Sequence, residues 1–227
     1  MVNGNADLSR ISAVWPLYGL RIRTPVLELR LPTLDDLAAL ATLGAQGIFA
    51  EGDPYVSPVA GWTEQPSPGL ERALVQYHWR TLAEWDPWRW EFAPVVLHDG
   101  RIVGTQDAGA EDFPVVRSVS TTSWLGLAFQ GRGLGREMQD AILHLAFAGL
   151  GARVAYTSAW EENVAALRMA RALGYQPNGT ELRARGNEAA VQVNLVLERS
   201  DWERRRREDI EITGLEACAE LFTGLEQ

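Results

Sequence analysis

The chain has 227 residues, of which 46% are hydrophobic, and a net charge of −9 at neutral pH. This size suits one large domain with an ample core, and the acidic balance argues against a general nucleic-acid-binding protein. All 21 basic residues are arginine, so the chain has no lysine for a P-loop, a pyridoxal Schiff base or a lysine nucleophile.

The first third of the chain predicts one strand and two helices. Residues 1–25 are expected to form an N-terminal arm that packs on the body. Alternating apolar residues over 26–31 predict a strand. Thr33, with Asp36 three residues later, forms a capping box for the helix that follows. A proline-rich loop and a second helix, with Ser67-Pro68 as its N-cap and first position, come next.

A β-rich stretch follows. Residues 91–98 and 101–107 predict two strands joined by Asp99-Gly100, a dipeptide typical of tight hairpin turns. A long strand is predicted over 115–127. It leads into a glycine-rich loop, and apolar residues at helical spacing after the loop predict a helix.

The last part of the chain completes a strand–loop–helix–strand unit, with a strand over 154–159. Asn163 then opens a helix that ends at Gly174, and a β-hairpin follows. The main domain is therefore expected to span residues 26–202. Residues 203–227 are expected to be a tail, charged and solvated at its start, that packs on or near this domain.

The loop Gln130-Gly131-Arg132-Gly133-Leu134-Gly135 has the chemistry of an anion site. Glycine permits a positive φ, and the first amides of a helix lack intrahelical partners and carry partial positive charge. A phosphate or pyrophosphate suits such a turn. Two alternatives stay open: a purely structural turn, and a Rossmann dinucleotide site, whose glycine turn would instead follow the first strand of a parallel sheet.

Two motifs in register give the chain a resemblance to a known family. The loop from Gln130 to Gly135 is similar to a Gln/Arg-x-x-Gly-x-Gly/Ala loop, and the helix from Asn163 to Leu173-Gly174-Tyr175 is similar to an Asn-x-x-(Ala/Ser) helix ending in Leu-Gly-(Phe/Tyr). With the order of elements over 26–202, the chain resembles the GNAT superfamily of acyl-CoA-dependent N-acyltransferases. Trp124-Leu125, Arg185-Gly186 and Asp201-Trp202 resemble its ribosomal-protein N-terminal acetyltransferase branch.

The resemblance implies an α/β (α+β) fold. A mixed, mostly antiparallel central sheet is flanked by helices and contains one strand–glycine loop–helix–strand crossover. It also implies acetyl-CoA as co-substrate and a primary amine, either a small molecule or a protein N-terminus, as acceptor. The amine attacks the thioester directly in a ternary complex. Cofactor contacts are expected at Leu125, Gly126, Leu127, Gln130, Gly131, Arg132, Gly133, Leu134, Gly135, Arg136 and Asn163.

The chain departs from the family where a side chain protonates the leaving thiolate. Ala170 stands where many members have tyrosine, and Ala166 where the ribosomal-protein branch often has serine. Tyr175 is a tentative acid, with a core aromatic role as its alternative. Water is a further proton source.

A carboxylate near the acyl group is expected to take the proton from the acceptor ammonium, directly or through water. Asp107 is the first candidate, because it lies at the end of a hairpin strand with apolar neighbours. Glu111 and Asp112, in the next turn, are the alternatives. For Asp107 itself, the capping of a turn is the competing role.

The expected partners are an acyl-CoA and an amine, without a metal, a nucleic acid or a membrane. The single cysteine, Cys218, and the absence of a secretion-like start suit a cytoplasmic location. The sequence leaves the oligomeric state open, a homodimer included. The missing acids motivate a second class of function, a non-catalytic acyl-CoA-binding module that acts as a sensor or interaction domain.

Overall fold

A ten-stranded mixed sheet organises the residues that the computed structural model describes, 10–49 and 65–224. The strands lie in the order β10-β1-β2-β4-β5-β6-β7-β9-β8, and β3 pairs with β5 beyond the end of β4. Neighbours are antiparallel except β6 and β7, which are parallel. The strands are β1 (Arg21–Arg23), β2 (Glu28–Arg30), β3 (Arg89–Phe92), β4 (Val95–His98), β5 (Arg101–Glu111), β6 (Ser118–Leu125), β7 (Val154–Trp160), β8 (Gln176–Arg185), β9 (Glu188–Glu198) and β10 (Glu211–Thr213). The predicted α/β fold with a mostly antiparallel sheet is confirmed.

Helices cover both faces of this sheet. Val95 belongs to a small buried cluster with Leu40 and Leu74 of the first two helices, whereas Val96 belongs to the large cluster with Met138 and Ile142 of the fourth. Because successive strand residues point to opposite faces, the two helix groups lie on opposite sides. The helices are α1 (Leu34–Ala45), α2 (Gly69–Ala83), α3 (Phe113–Val116), α4 (Leu134–His144), α5 (Val164–Leu173), α6 (Arg199–Glu203) and α7 (Ala219–Thr223), and a π-helical turn, Leu145–Gly149, extends α4.

Several local predictions are confirmed because neighbouring residues alone determine them. Thr33 and Asp36 form the reciprocal capping box at the start of α1. Asp99 and Gly100 both have positive φ, 49° and 72°, in the tight turn between β4 and β5. Asn163 caps α5.

Other local predictions are wrong. The long strand begins at Ser118 rather than residue 115, because Phe113–Val116 forms the short helix α3. Pro68, not Ser67, holds the N-cap position of α2, and the Ser67 hydroxyl donates instead to Glu71 Oε1 at 2.5 Å. The proline-rich loop predicted before α2 lies largely outside the described residues.

Both ends of the described chain contribute strands to the sheet. β1, from the predicted arm, pairs with β2 and with β10, which comes from the predicted tail. Arg207 also attaches the tail to α4 through a bidentate ion pair with Glu137, at 2.6 and 3.1 Å. The described residues contain no helix that is both long and apolar enough to span a membrane.

Candidate active site

The glycine loop presents free backbone amides at the start of α4. Gly131 and Gly133 have φ of +71° and +82°, and Gly133 occupies the N-cap position without a side-chain cap. The amides of Arg136 and Glu137 both donate to the Gly133 carbonyl oxygen. Within the described chain, the amides from Gly131 to Gly135 donate to no backbone carbonyl. The loop therefore has the donors and the dipole that an anion requires.

The side chain of Gln130 supports this loop from behind. Its Nε2 donates to the carbonyl oxygens of Ile48 and Leu125, at 2.8 and 2.9 Å. The Gly126 amide donates to Val103, and the Leu127 amide donates to Gly47. Gln130 thus acts on the shape of the loop, while Leu127, 43% exposed, lies on the surface next to it.

The two parallel strands separate just before the loop. β6 pairs with β7 only through Ser118, Val119 and Ser120. Beyond that point β6 stays with β5 as far as Leu125, and β7 stays with β9 as far as Trp160. A cavity of about 310 Å³ lies over the separation, lined mostly by hydroxyl and amide side chains of β6 to β9, with Glu181 and Arg183 of β8. Among the residues that the structure describes, the side of β6 that faces β7 is thus left without a strand partner from Thr121 to Leu125, in the part of the strand that precedes the glycine loop.

A larger cleft of about 850 Å³ lies between α2 and the ends of β3, β5 and β6. Ser120 lines both this cleft and the smaller cavity, so the two are adjacent. The cleft carries charges of both signs, from Arg80, Glu84, Arg89, Glu91 and Glu111. It is a polar site that opens towards the separated strands.

Asp107 lies behind the lining of this cleft, only 5% exposed. Its Oδ1 is 2.6 Å from the Thr105 hydroxyl, and its Oδ2 accepts from the Tyr77 hydroxyl at 2.7 Å. The Tyr77 hydroxyl also lies 2.5 Å from Glu91 Oε1. Tyr77 and Glu91 line the cleft and Asp107 does not, so two carboxyl groups meet across one phenol.

The surroundings favour a protonated Asp107. Burial, with a smaller contribution from the nearby Glu91 carboxylate, raises its pKa to about 7, against the opposing hydrogen bonds from Thr105 and Tyr77. Burial and the two carboxylates raise the pKa of Tyr77 far above its ordinary value, so the phenol keeps its proton. Near neutral pH, Asp107 can therefore accept or release a proton.

The other predicted base, Glu111, stands at the mouth of the cleft. It is 3.8 Å from Arg89, and both side chains are largely exposed. Asp112 is also exposed and has a positive φ of 51° at the start of α3. Among the three predicted carboxylates, only Asp107 is enclosed.

Asn163 and Tyr175 have different surroundings. The Asn163 Oδ1 accepts from the Ala166 amide at 3.0 Å, so its oxygen caps α5. Tyr175 is 1% exposed and receives a hydrogen bond from Gln139 of α4 at 3.3 Å, with the Thr121 hydroxyl 3.4 Å away. Burial raises the pKa of Tyr175 to about 12. This is the environment of a core tyrosine, the alternative that the sequence left open.

Two buried histidines, His78 and His144, lie outside the lining of the two cavities. His78 is 2% exposed, and burial lowers its pKa to about 4. His144 packs edge-on against Trp202. The described residues hold no group of three or more histidine, cysteine or acidic side chains suited to a metal ion.

Sequence reasoning did not identify Tyr77 and Glu91 as site residues. Glu91 is a charged residue between two buried aromatics of β3, Trp90 and Phe92, and it pairs directly with Gly109. The signal that the sequence offers for Glu91 is a charged residue between two aromatic residues of a strand. The helical spacing of apolar residues in α2 places Tyr77 on the inward face of that helix, and only the tertiary structure shows its hydroxyl between two carboxyls.

The mixed sheet, the β6–α4–β7 crossover and the glycine-lined start of α4 form a fold that solved acetyltransferase structures share. Residues 27–176 match the family model for the acetyltransferase (GNAT) domain. The chain belongs to the GNAT acetyltransferase family.

Solved structures share this fold at low sequence identity. RimL, a ribosomal-protein alpha-N-acetyltransferase in complex with coenzyme A, has a TM-score of 0.65 and 16% identity, over 77% of this chain and 95% of that one. The microcin self-immunity acetyltransferase MccE, in complex with acetyl-CoA and AMP, has a TM-score of 0.61 and 15% identity, over 77% and 93%. A GNAT-family acetyltransferase from Bacillus anthracis has a TM-score of 0.61 and 13% identity, over 79% and 99%.

Proposed function

We propose that the protein is an acetyl-CoA-dependent N-acetyltransferase that moves an acetyl group to a primary amine. The observation that carries the proposal is the arrangement of groups along β6. The glycine loop with its free amides follows the end of this strand, β7 leaves one side of the strand unpaired beyond Ser120, and the cleft lined by Glu91, with the enclosed Asp107 behind it, lies at the start of the strand. The loop and the unpaired side of β6 suit the donor, and the cleft suits the acceptor.

The donor would lie along the loop and the unpaired side of β6. Its pyrophosphate would accept hydrogen bonds from the free amides of Gly131 to Gly135, with the guanidinium groups of Arg132 and Arg136 nearby. The pantetheine arm would follow β6 near Leu125. The Asn163 side chain can offer its NH₂ group, because its oxygen is used in capping α5. The coenzyme A and acetyl-CoA held by RimL and MccE support this donor.

The acceptor amine would attack the thioester carbonyl carbon directly. The C–N bond forms, the carbonyl electrons return from the oxyanion, and the C–S bond breaks to release coenzyme A as a thiolate. Backbone N–H groups beside the separated strands would stabilise the oxyanion, and positioning of the two substrates would supply roughly 7–11 kcal/mol. Ala166 and Ala170 cannot protonate the thiolate. Water would instead carry to it the second proton, which the attacking nitrogen loses as the amide forms.

A panel of primary amines with acetyl-CoA and colorimetric detection of free thiol tests the proposal. We expect thiol release that depends on both substrates, with the acetylated amine identified by mass spectrometry. Coenzyme A binding without turnover on every amine would instead favour the sensor or interaction module that the missing acids suggest. Stabilisation by NAD but not by acetyl-CoA would contradict the donor assignment.

A further inference from the structure

Glu91, Tyr77, Asp107 and Thr105 form a continuous chain of oxygen atoms that begins in the cleft. Glu91 Oε1 is 2.5 Å from the Tyr77 hydroxyl, which is 2.7 Å from Asp107 Oδ2. Asp107 Oδ1 is 2.6 Å from the Thr105 hydroxyl, which is 2.8 Å from the Pro94 carbonyl oxygen. The chain thus runs from a cleft-lining carboxyl to a buried carbonyl that can only accept.

The four short contacts in this row of oxygen atoms need more protons than its hydroxyl groups supply. If each contact is a hydrogen bond, four protons are required, and the two hydroxyl groups supply one each. The other two contacts are filled only when Glu91 and Asp107 are protonated. With both acids protonated, every donor points inward, from Glu91 to Tyr77, Asp107, Thr105 and finally Pro94. This row of oxygen atoms therefore has two vacant proton positions when both carboxyls are ionised.

Resting on the acetyltransferase function above, we propose that Glu91 takes the proton of the acceptor ammonium and that Tyr77 transfers it to Asp107. An ammonium N–H proton moves to the Glu91 carboxylate and frees the nitrogen lone pair for attack. Glu91 then gives this proton to the Tyr77 oxygen as Tyr77 gives its own proton to Asp107 Oδ2. Glu91 returns to the carboxylate form, and the same path reversed releases the proton to solvent after the amide leaves.

The assignment explains why two carboxyls are needed. Asp107 does not line the cleft, so an acceptor meets Glu91 first. A carboxylate alone beside a primary ammonium is a weak base, whereas a second, enclosed carboxyl keeps the proton away from the reacting nitrogen. Other charged groups face this cleft and contribute to its pH dependence: Arg80 and Glu84 of α2, Arg89 of β3 and Glu111 of β5.

Acceptors of different basicity distinguish a proton relay from a structural contact. We expect E91Q to lower kcat/KM about 10²–10⁴-fold for an alkylamine that is protonated at neutral pH. Y77F should lower kcat roughly 10²-fold with little change in the acceptor KM, because Glu91 still binds the ammonium. Both losses should shrink for an aromatic amine or hydrazide that is already neutral at this pH. Equal losses on both kinds of acceptor would overturn the relay.

Two further variants separate relay from folding. Y18F removes a hydroxyl from a tyrosine that lines neither cavity, and it should match the wild type in activity and thermal midpoint. D107N conserves shape and removes the proton acceptor, so it should abolish the rise of kcat with pH near 7. A D107N profile that keeps this rise would contradict the role of Asp107.

An infrared titration tests the relay without any acetyl transfer. The carbonyl stretch of a protonated, enclosed carboxyl should appear as the pH falls through about 7, vanish in D107N and shift in Y77F. Absence of this band would overturn the relay even if the enzyme is active. Conversely, the band with no turnover on any amine would contradict the proposed function and leave the proton chain intact.

Discussion

Gly133→Val tests whether the glycine loop holds the pyrophosphate of the donor. Gly133 has a φ of +82° at the N-cap of α4, and an added Cβ would meet no atom within 4 Å. The substitution therefore acts through backbone strain rather than through a clash. A left-handed backbone costs a β-branched residue roughly 1–2 kcal/mol, which the loop can relieve by turning its amides away from the ligand.

The size of the effect follows from the amides that are lost. A hydrogen bond to a charged group contributes about 1.5–3 kcal/mol, so each lost amide should raise the Kd for coenzyme A roughly 10- to 150-fold. The Val side chain at the site of approach adds to this loss. The binding of acetyl-pantetheine, which lacks the pyrophosphate, should be nearly unchanged.

Gly151→Val is the matched control. Gly151 has a φ of +71° and equally open surroundings, but it precedes β7 at the far end of the α4 crossover. Both variants should lose about the same stability in urea titrations, and only Gly133→Val should lose coenzyme A affinity in calorimetry. Unchanged affinity in Gly133→Val, or an equal loss of pantetheine binding, would show that the loop is only a structural turn.

Three further predictions concern stability. Burial raises the Asp107 pKa from 3.8 to about 7, so protonation of Asp107 contributes roughly 4 kcal/mol to the free energy of unfolding below pH ~4, and this contribution is lost as the pH rises through 7. D107N should remove this pH dependence of the unfolding free energy in urea titrations, and an unchanged pH dependence in D107N would contradict the prediction. Gly104→Ala places a Cβ against the Trp124 carbonyl oxygen, so it should lower the free energy of unfolding by about 1–3 kcal/mol and weaken donor binding. Gly109→Ala is the control and should be tolerated, because its Cβ has no contact under 3.6 Å. Equal thermal midpoints of the two variants would refute this prediction. Thr33→Ala breaks the α1 capping box and should lower the free energy of unfolding by about 1 kcal/mol, which corresponds to a fall of about 2–4 °C in Tm, with unchanged activity. Thr33→Ser keeps the capping hydroxyl and should have the stability of the wild type.

The local geometry of the proposed donor site could be predicted from the sequence because residues close together in the chain determine it. Gly131 and Gly133 need positive φ, and Asn163 needs only the amide of Ala166, three positions away, to cap its helix. Patterns that involve only residues close together in the chain can be recognised in a single sequence. The family resemblance likewise depends on these two motifs, and the family match over 27–176 confirms it.

The acceptor part could not be predicted in the same way. Tyr77 lies 30 residues from Asp107 along the chain and 14 from Glu91, and the three meet only when α2 packs on the sheet. Periodicity places Tyr77 on an inward face but does not say which strand residue it contacts. Asp107 was selected because it stands at the end of a predicted strand, whereas Glu91 stands at the start of its predicted strand. That criterion misses Glu91 although its neighbours are also apolar and it lines the cleft.

The contrast between the two parts of the site also explains why the sequence predicts a donor but no acceptor. The proposed donor contacts lie on one crossover, β6 to α5, which contains the glycine loop and the Asn163 cap. The proposed acceptor cleft is formed by α2, β3, β5 and the start of β6, and it carries charges of both signs. A change at Arg80 or Glu84 can alter the charge that an acceptor meets without touching the crossover. Under the proposed function, acceptor choice would therefore depend on the tertiary packing of α2 on β3 and β5, and it would vary while the donor site keeps its form.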